Sequence, residues 1–355
     1  MNTRSPDISV MIPTYNRAAT LRIAIASALR QKDVTIEVLV TDDNSPDNTE
    51  QVVKSFRDKR IRYIKNIIRL GTSENFSKSF LACKGHYIFT LSDDDLLLED
   101  TALADVLRVM KKYRVGIGKI GTIGYEITPF HPYQTYILSD RRIVLKPSMT
   151  PNILVQSIDF GIGLFSGYAY DANRMSRKLL KLDHICYPDH MCYVFLPMAF
   201  DLIQKYGMAY IPKHFIVSRL SLELIPRYFD IRTHGGLFIE EPITLSGRFI
   251  HGKRLLEYTK KFLRAEMVLL PNVKYFSNYG NYIQSLKIMI RRDNTLVTDI
   301  HFIFWSLMGL LPNFIITFLR YIKVYQMKRQ ILPTLKKYNY AEKIAAINAD
   351  IGLLT

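Results

Sequence analysis

Over its first third the chain alternates between short apolar runs and stretches of helical period. Ile8-Ser9-Val10-Met11-Ile12 is apolar apart from one serine and stops at Pro13, the pattern of a strand covered on both faces. Leu21, Ala24, Ile25, Ala28 and Leu29 then recur at three- and four-residue spacing, which predicts an amphipathic helix. Ile36 to Val40 predicts a second buried strand, and Ser45-Pro46 has the composition of a helix cap with proline at the first helical position. Val52, Val53 and Phe56 supply that helix's apolar face. Ile61 to Ile64 predicts a third strand, Ser73 opens a helix carrying Phe76, Phe80 and Cys83, and Tyr87 to Leu91 predicts a fourth strand. A helix with Leu103, Val106, Leu107 and Met110 inward follows. Strands alternating with helices imply a mostly parallel sheet with helices on both faces.

From Gly116 to Tyr170 the pattern is less regular and predicts short strands and loops. A helix is expected from near Asp189 to about Tyr206, and a strand near Ala209 to Pro212 closes the first domain. Beyond about Ser218 the period is helical, over Phe249 to Leu270, Ser277 to Arg292, Asp299 to Leu310 and Asn313 to Met327. The expected division is an α/β domain over 1–217 and a mainly helical region over 218–355.

Three polar clusters follow three of the predicted strands: Pro13-Thr14-Tyr15-Asn16, Asp42-Asp43-Asn44-Ser45 and Asp93-Asp94-Asp95. In a parallel sheet, residues just past the strand C-termini share one edge, where open α/β proteins bind ligands. One such cluster is as easily a polar turn; three in this order are not. Adjacent carboxylates repel unless a cation neutralises them. Hard oxygen ligands suit Mg²⁺ or Mn²⁺, which commonly bridge a carboxylate and substrate phosphates. Asp42 or Asp43 can accept hydrogen bonds from a base or ribose, Tyr15 can stack on a base, and Arg69 or Lys78 can meet a diphosphate. No Gly-x-Gly-x-x-Gly and no Walker A loop follows the first strand, which argues against dinucleotide and P-loop enzymes.

Ile12-Pro13-Thr14-Tyr15-Asn16-Arg17, Asp42-Asp43-Asn44-Ser45 and Ser92-Asp93-Asp94-Asp95 resemble the markers of family 2 glycosyltransferases of the GT-A fold. Leu70-Gly71-Thr72-Ser73-Glu74-Asn75-Phe76 and Gly85-His86-Tyr87-Ile88 resemble that family's segment before its acidic motif. The resemblance is specific over residues 8–112, weaker to about 215 and generic beyond. It implies an inverting transferase that uses a nucleotide-diphosphate sugar. Pro13, Thr14, Tyr15, Asn16, Asp43, Arg69 and Asn75 would line the donor site, with Asp93 and Asp94 at ribose and phosphate. Asp94 and Asp95 would hold the Mn²⁺ or Mg²⁺. Ser166-Gly167-Tyr168 resembles the acceptor loop, with His190 further along the acceptor side. The family's Glu-Asp pair is missing, and Tyr187-Pro188-Asp189-His190 is its nearest counterpart. Asp189 is therefore the expected base, with Asp159 and Asp183 as alternatives and a helix cap as the structural explanation of the same residue.

Charge adds a partner. The chain carries 48 Lys+Arg against 32 Asp+Glu, and Gly252 to Thr355 holds 16 basic and 6 acidic residues, so +10 of the +16 lies there. No zinc-finger, RNP or KH pattern accompanies it, so nucleic acid is not expected. Ile300 to Leu319 has no charged residue, but Pro312-Asn313 interrupts it, and Arg320, Lys323, Lys328 and Arg329 follow. Two amphipathic helices lying on an anionic membrane are expected there, with ordinary packing and a span as alternatives. Such a C-terminus suits a lipid-linked glycan acceptor at the cytoplasmic membrane face; the family resemblance alone implies the bacterial setting, such as O-antigen or capsule assembly. Three cysteines without regular spacing fit a reducing compartment, and Met1 to Asp7 is unlike a signal peptide. His184, Cys186, His190 and Cys192 match no common zinc spacing. Competing readings are a non-catalytic nucleotide-sugar-binding scaffold and a sugar nucleotidyltransferase. The intact acidic cluster argues against the first and the lack of a Gly-rich, Arg-containing loop against the second.

Overall fold

The computed structural model describes residues 5–126, 131–136, 142–145, 147, 165–177, 179–181 and 195–219. The predicted alternation is present: β1 (Ile8–Thr14), α1 (Ala18–Leu29), β2 (Ile36–Asp42), α2 (Thr49–Ser55), β3 (Ile61–Lys65), α3 (Thr72–Ala82) and β4 (Tyr87–Thr90). There follow β5 (Asp95–Leu97), α4 (Ala102–Tyr113), β6 (Ile117–Glu126), β7 (His131–Tyr136), β8 (Ile143–Leu145) and β9 (Tyr168–Asp171). A 3-10 turn at Leu179–Lys181, α5 (Phe195–Tyr206) and β10 (Met208–Arg219) complete the described elements.

The strands join in one sheet in the order β3-β2-β1-β4-β9-β6-β10-β5, with β7 beside β6 and β8 beside β10. β3, β2, β1 and β4 are mutually parallel, as are β6 and β10; β9 is antiparallel to both β4 and β6. The architecture is thus the expected α/β class with a mostly parallel sheet flanked by helices, extended by antiparallel strands. All seven residues of β1 and of β2 are buried, because helices cover both faces of the central strands. Leu21, Ala24, Ile25 and Ala28 of α1 and Leu103, Val106 and Met110 of α4 pack into one core with Val10, Ile12, Val38, Val40 and Phe89. Burying each of the Leu, Ile, Val, Met and Phe side chains among these stabilises the fold by about 1.5–3 kcal/mol.

Three expectations are corrected. α2 begins at Thr49, not at Pro46. Ser45 is held in the loop instead: its hydroxyl accepts from Asn16 N at 2.9 Å and its own N–H donates to Asp42 Oδ1 at 2.8 Å. Asp47 meets the incoming helix, accepting from the amide and hydroxyl of Thr49. Second, the irregular middle contains the ten-residue β6, whose glycines Gly118 and Gly121 leave room for Met110 and Phe215. Third, β10 has 12 residues, where four were expected, and pairs with both β6 and β5.

The expected boundary at 217 falls within β10, and the helical region expected beyond it lies outside the described residues, as do residues 300–319, Asp159, Asp183, Asp189, His190 and the histidines and cysteines at 184–192. Among the described residues no helix is long and apolar enough to cross a membrane.

Candidate functional site

β1, β2 and β4 are parallel neighbours, so the segments that follow them meet at one sheet edge. Met11 pairs with Thr90 and Thr14 with Asp42, which sets the register between the segments. After β4 the chain makes a turn closed by Asp95 N donating to Ser92 O at 3.1 Å, and this turn displays the three carboxylates.

The acidic turn is tied to the β1 end across nearly 80 residues of sequence. Thr14 Oγ1 donates to Asp93 Oδ2 at 2.7 Å. One guanidinium nitrogen of Arg17, Nη1, donates to Asp93 Oδ1 at 2.9 Å and to Asp94 Oδ2 at 2.6 Å. Ser92 Oγ occupies the other Asp94 oxygen at 2.6 Å. Burial pushes the Asp93 carboxyl up to about 6, against the pull of Arg17 and with that of Asp94. For Arg17, burial opposes the charge, but Asp94 and Asp93 outweigh it and hold the guanidinium protonated.

Ser166 joins the acidic turn to the predicted acceptor loop. Its hydroxyl donates to Asp95 Oδ2 and accepts from Ser92 N at 2.8 Å. Gly167 follows at φ +88°, where a side chain would be strained and a Cβ would lie 3.1 Å from Lys119 Nζ. Lys119 is buried, donates to Ser166 O at 2.8 Å and lies 4.5 Å above the Tyr168 ring. Burial pushes its ammonium down to about 7, with Asp95 acting in the opposite direction.

Asp43 organises the rim. Its carboxylate accepts from Asn66 Nδ2 at 2.9 Å, Leu70 N at 2.7 Å and Gly71 N at 2.8 Å, which fixes the 66–71 loop before α3. Asn75 is behind it, accepting from Asn66 Nδ2 at 3.1 Å and donating to Thr41 O at 3.1 Å. In this arrangement Asp43 and Asn75 act on the loop. Asp42 accepts from Ser45 N and from the Tyr63 hydroxyl, and Lys78 donates to Asn66 Oδ1. The fixed loop carries the exposed Arg69, whose guanidinium carbon lies 4.1 Å from the centre of the Tyr15 ring, a stacked cation–π pair on the edge of the crevice. Asn16 is exposed at φ +55° and Pro13 is buried in β1.

The structure therefore brings together Thr14, Tyr15, Asn16, Asp43, Arg69, Asn75, Asp93, Asp94, Asp95, Ser166 and Gly167, while Asp189 and His190 lie outside the described residues. Sequence reasoning missed the roles of Arg17, Ser92, Asn66 and Lys119. Arg17 stood in a motif, and its position next to the first polar cluster was a usable signal. Lys119 carried none, since a lysine between glycines in a strand resembles an exposed edge position.

Among the described residues no three His, Cys, Asp or Glu side chains form a cage for a metal ion. The donor chemistry still fits Mn²⁺ or Mg²⁺, because Asp94 and Asp95 offer hard oxygens on one turn. Ions of this kind are commonly held by one or two carboxylates with substrate phosphates completing the shell.

Several known proteins are similar to this chain. A curated relative from Campylobacter jejuni, named GalNAc(5)-diNAcBac-PP-undecaprenol beta-1,3-glucosyltransferase, is 38% identical over 96 residues, 26% of this chain and 31% of its own. The Escherichia coli protein named UDP-Glc:alpha-D-GlcNAc-diphosphoundecaprenol beta-1,3-glucosyltransferase WfgD is 30% identical over 104 residues, 29% of this chain and 41% of its own. The matched stretches thus cover less than half of either relative. The crystal structure of S. aureus TarS 1-349 in complex with UDP-GlcNAc shares the fold, with TM-score 0.50 and 14% identity over 82% of this chain and 76% of that one. Residues 9–175 match the model of glycosyl transferase family 2. This matched segment contains every described residue of the candidate site.

Proposed function

We propose that this protein transfers a sugar from a nucleotide-diphosphate donor to a hydroxyl of a lipid-linked glycan, with inversion, during assembly of a bacterial surface polysaccharide such as O-antigen or capsule. One observation carries the reading: Thr14, Arg17, Asp93, Asp94, Asp95 and Ser166 form a single bonded array at the C-terminal edge of β1 and β4. That edge is where open α/β sheets bind nucleotides. The activities named for the two relatives, both on undecaprenyl-diphosphate-linked acceptors, support the acceptor class.

In this reading Tyr15 and Arg69 flank the nucleoside, and the acidic turn faces the diphosphate. Asp94 and Asp95 would hold Mn²⁺ or Mg²⁺, which when bound offsets the charge growing on the leaving diphosphate. Ser166 and Gly167 set the floor on which the acceptor rests, and His190 is assigned to the acceptor by the family resemblance alone. Asp189, taken from the family resemblance, is the base: its carboxylate removes the proton of the acceptor hydroxyl as the oxygen attacks the anomeric carbon opposite the diphosphate. The basic C-terminal region holds the protein on the anionic inner face of the cell membrane.

The test is transfer from a panel of sugar nucleotides to an undecaprenyl-diphosphate-linked glycan, with product linkage read by NMR. Asp189→Asn is expected to lower turnover by about 10²-fold or more with nucleotide affinity within about twofold. Wild-type turnover in that variant overturns the base, and a product of retained anomeric configuration overturns inversion. Sedimentation with anionic vesicles tests the membrane partner, and failure to bind them at low salt refutes it.

A further inference from the structure

We propose that Arg17 is an internal counter-ion that stands in the place of the divalent cation, and that it changes partners from Asp94 to the donor's diphosphate when the donor arrives. The inference deepens the donor-site reading and rests on it. Its basis is the geometry of one nitrogen. Arg17 Nη1 lies between Asp93 Oδ1 at 2.9 Å and Asp94 Oδ2 at 2.6 Å, bridging carboxylates of consecutive residues as a metal ion would. The two remaining oxygens of these carboxylates are engaged as well, Asp93 Oδ2 by Thr14 and Asp94 Oδ1 by Ser92. A divalent ion approaching Asp94 must therefore compete with a guanidinium already in contact with it.

Among the described residues no three His, Cys, Asp or Glu side chains are grouped as a metal cage, so in this proposal the ion takes its remaining ligands from the donor. A diphosphate changes the balance on both sides. It brings phosphate oxygens that complete the metal's shell, and it offers the planar guanidinium a bidentate anionic partner to replace Asp94. Arg17 is suited to the exchange. It precedes α1 in the β1–α1 connection, and its side chain is only 15% exposed while Asp94 is 22% exposed, so the Asp94 side of the pair is the one nearer the solvent. Asp93, 6% exposed and bonded to Thr14, stays as the fixed end.

The experiment titrates the full-length protein with Mn²⁺ alone, following free Mn²⁺ by electron paramagnetic resonance, and separately with UDP and GDP in the absence of metal. Arg17→Gln is expected to bind Mn²⁺ alone about tenfold or more tightly than wild type, because a positive charge next to the ion is removed. The same variant is expected to bind UDP or GDP about tenfold or more weakly. Arg17→Gln/Asp93→Asn, which removes one charge of each sign, keeps the test open where the single variant does not fold, and is also expected to gain Mn²⁺ affinity, because the guanidinium no longer occupies Asp94 Oδ2. Adding Asp94→Asn to Arg17→Gln should abolish the gain. Mn²⁺ binding no tighter in Arg17→Gln and in the double variant than in wild type overturns the counter-ion role. Unchanged nucleotide binding in Arg17→Gln overturns the partner exchange. Failure of wild type to bind either nucleotide counts against the donor-site reading, and the Mn²⁺ comparison then decides the counter-ion role by itself.

Discussion

Asp43→Asn isolates the part of the site that shapes the nucleoside crevice. The wild-type carboxylate accepts three hydrogen bonds, from Asn66 Nδ2 and Leu70 N on one oxygen and from Gly71 N on the other. Asparagine keeps the shape but replaces one oxygen with a donor. Its lowest-cost orientation turns the amide nitrogen towards Gly71 N–H, so one bond is lost and two donors face each other. The lost charge-assisted bond is worth about 1.5–3 kcal/mol, and a buried amide left without a partner adds about 1–3 kcal/mol. The two surviving bonds also weaken from ionic to neutral. Partial exposure of Leu70 and Gly71 lets water recover some of this, so a net loss of about 3 kcal/mol is expected. For a domain of this size that corresponds to roughly 6–12 °C in Tm. Urea unfolding followed by circular dichroism measures it as a shift of midpoint at constant slope. A loss below about 1 kcal/mol would show that the three bonds do not hold the loop. The variant should also weaken nucleotide binding, because the 66–71 loop carries Arg69 against Tyr15.

Lys119→Met tests the buried ammonium. Its folded value near 7 lies below the ordinary 10.5, so the unfolded chain binds more protons across that interval and this group's contribution to stability rises with pH from about 7 to about 10.5. Unfolding at pH 7 and at pH 9 should show that rise in wild type and its loss in Lys119→Met; an unaltered pH slope contradicts the burial argument. Gly167→Ala places a Cβ at φ +88° within 3.3 Å of Ile120 and Ile216, and about 1–3 kcal/mol of destabilisation is expected in the same unfolding assay. A neutral effect would mean that the Ser166–Gly167 turn relaxes without cost.

Much of the N-terminal half was legible because its signals are local. Strands buried on both faces read as apolar runs with at most one polar residue, and Val38, Leu39 and Val40 need no knowledge of their neighbours to be recognised. The polar clusters were legible for the same reason, since each directly follows such a run. What was not legible depends on contacts distant in sequence. Asp95-Leu96-Leu97 is too short to announce a strand and is one only because β10 pairs with it. Ser45-Pro46 has the composition of a helix start, but Asn16, 29 residues earlier, takes the serine hydroxyl. Asp43 looked free to meet a nucleoside because its partners at 66, 70 and 71 join it only through the packing of β2 against β3. The pairing of Arg17 with the acidic turn spans 76 and 77 residues and follows from the parallel contact of β1 with β4.

The central claim is that this edge binds a sugar nucleotide through its acidic turn. Thermal unfolding in a panel of UDP-, GDP- and dTDP-sugars with Mn²⁺ tests it, with Asp94→Asn/Asp95→Asn as the control. A ligand at about 100 times its Kd stabilises the folded state by roughly 2.7 kcal/mol, so at least one sugar nucleotide should raise Tm by about 5–11 °C in wild type and by much less in the control. A wild-type Tm that no member of the panel moves, or a shift that survives intact in the control, would contradict the claim.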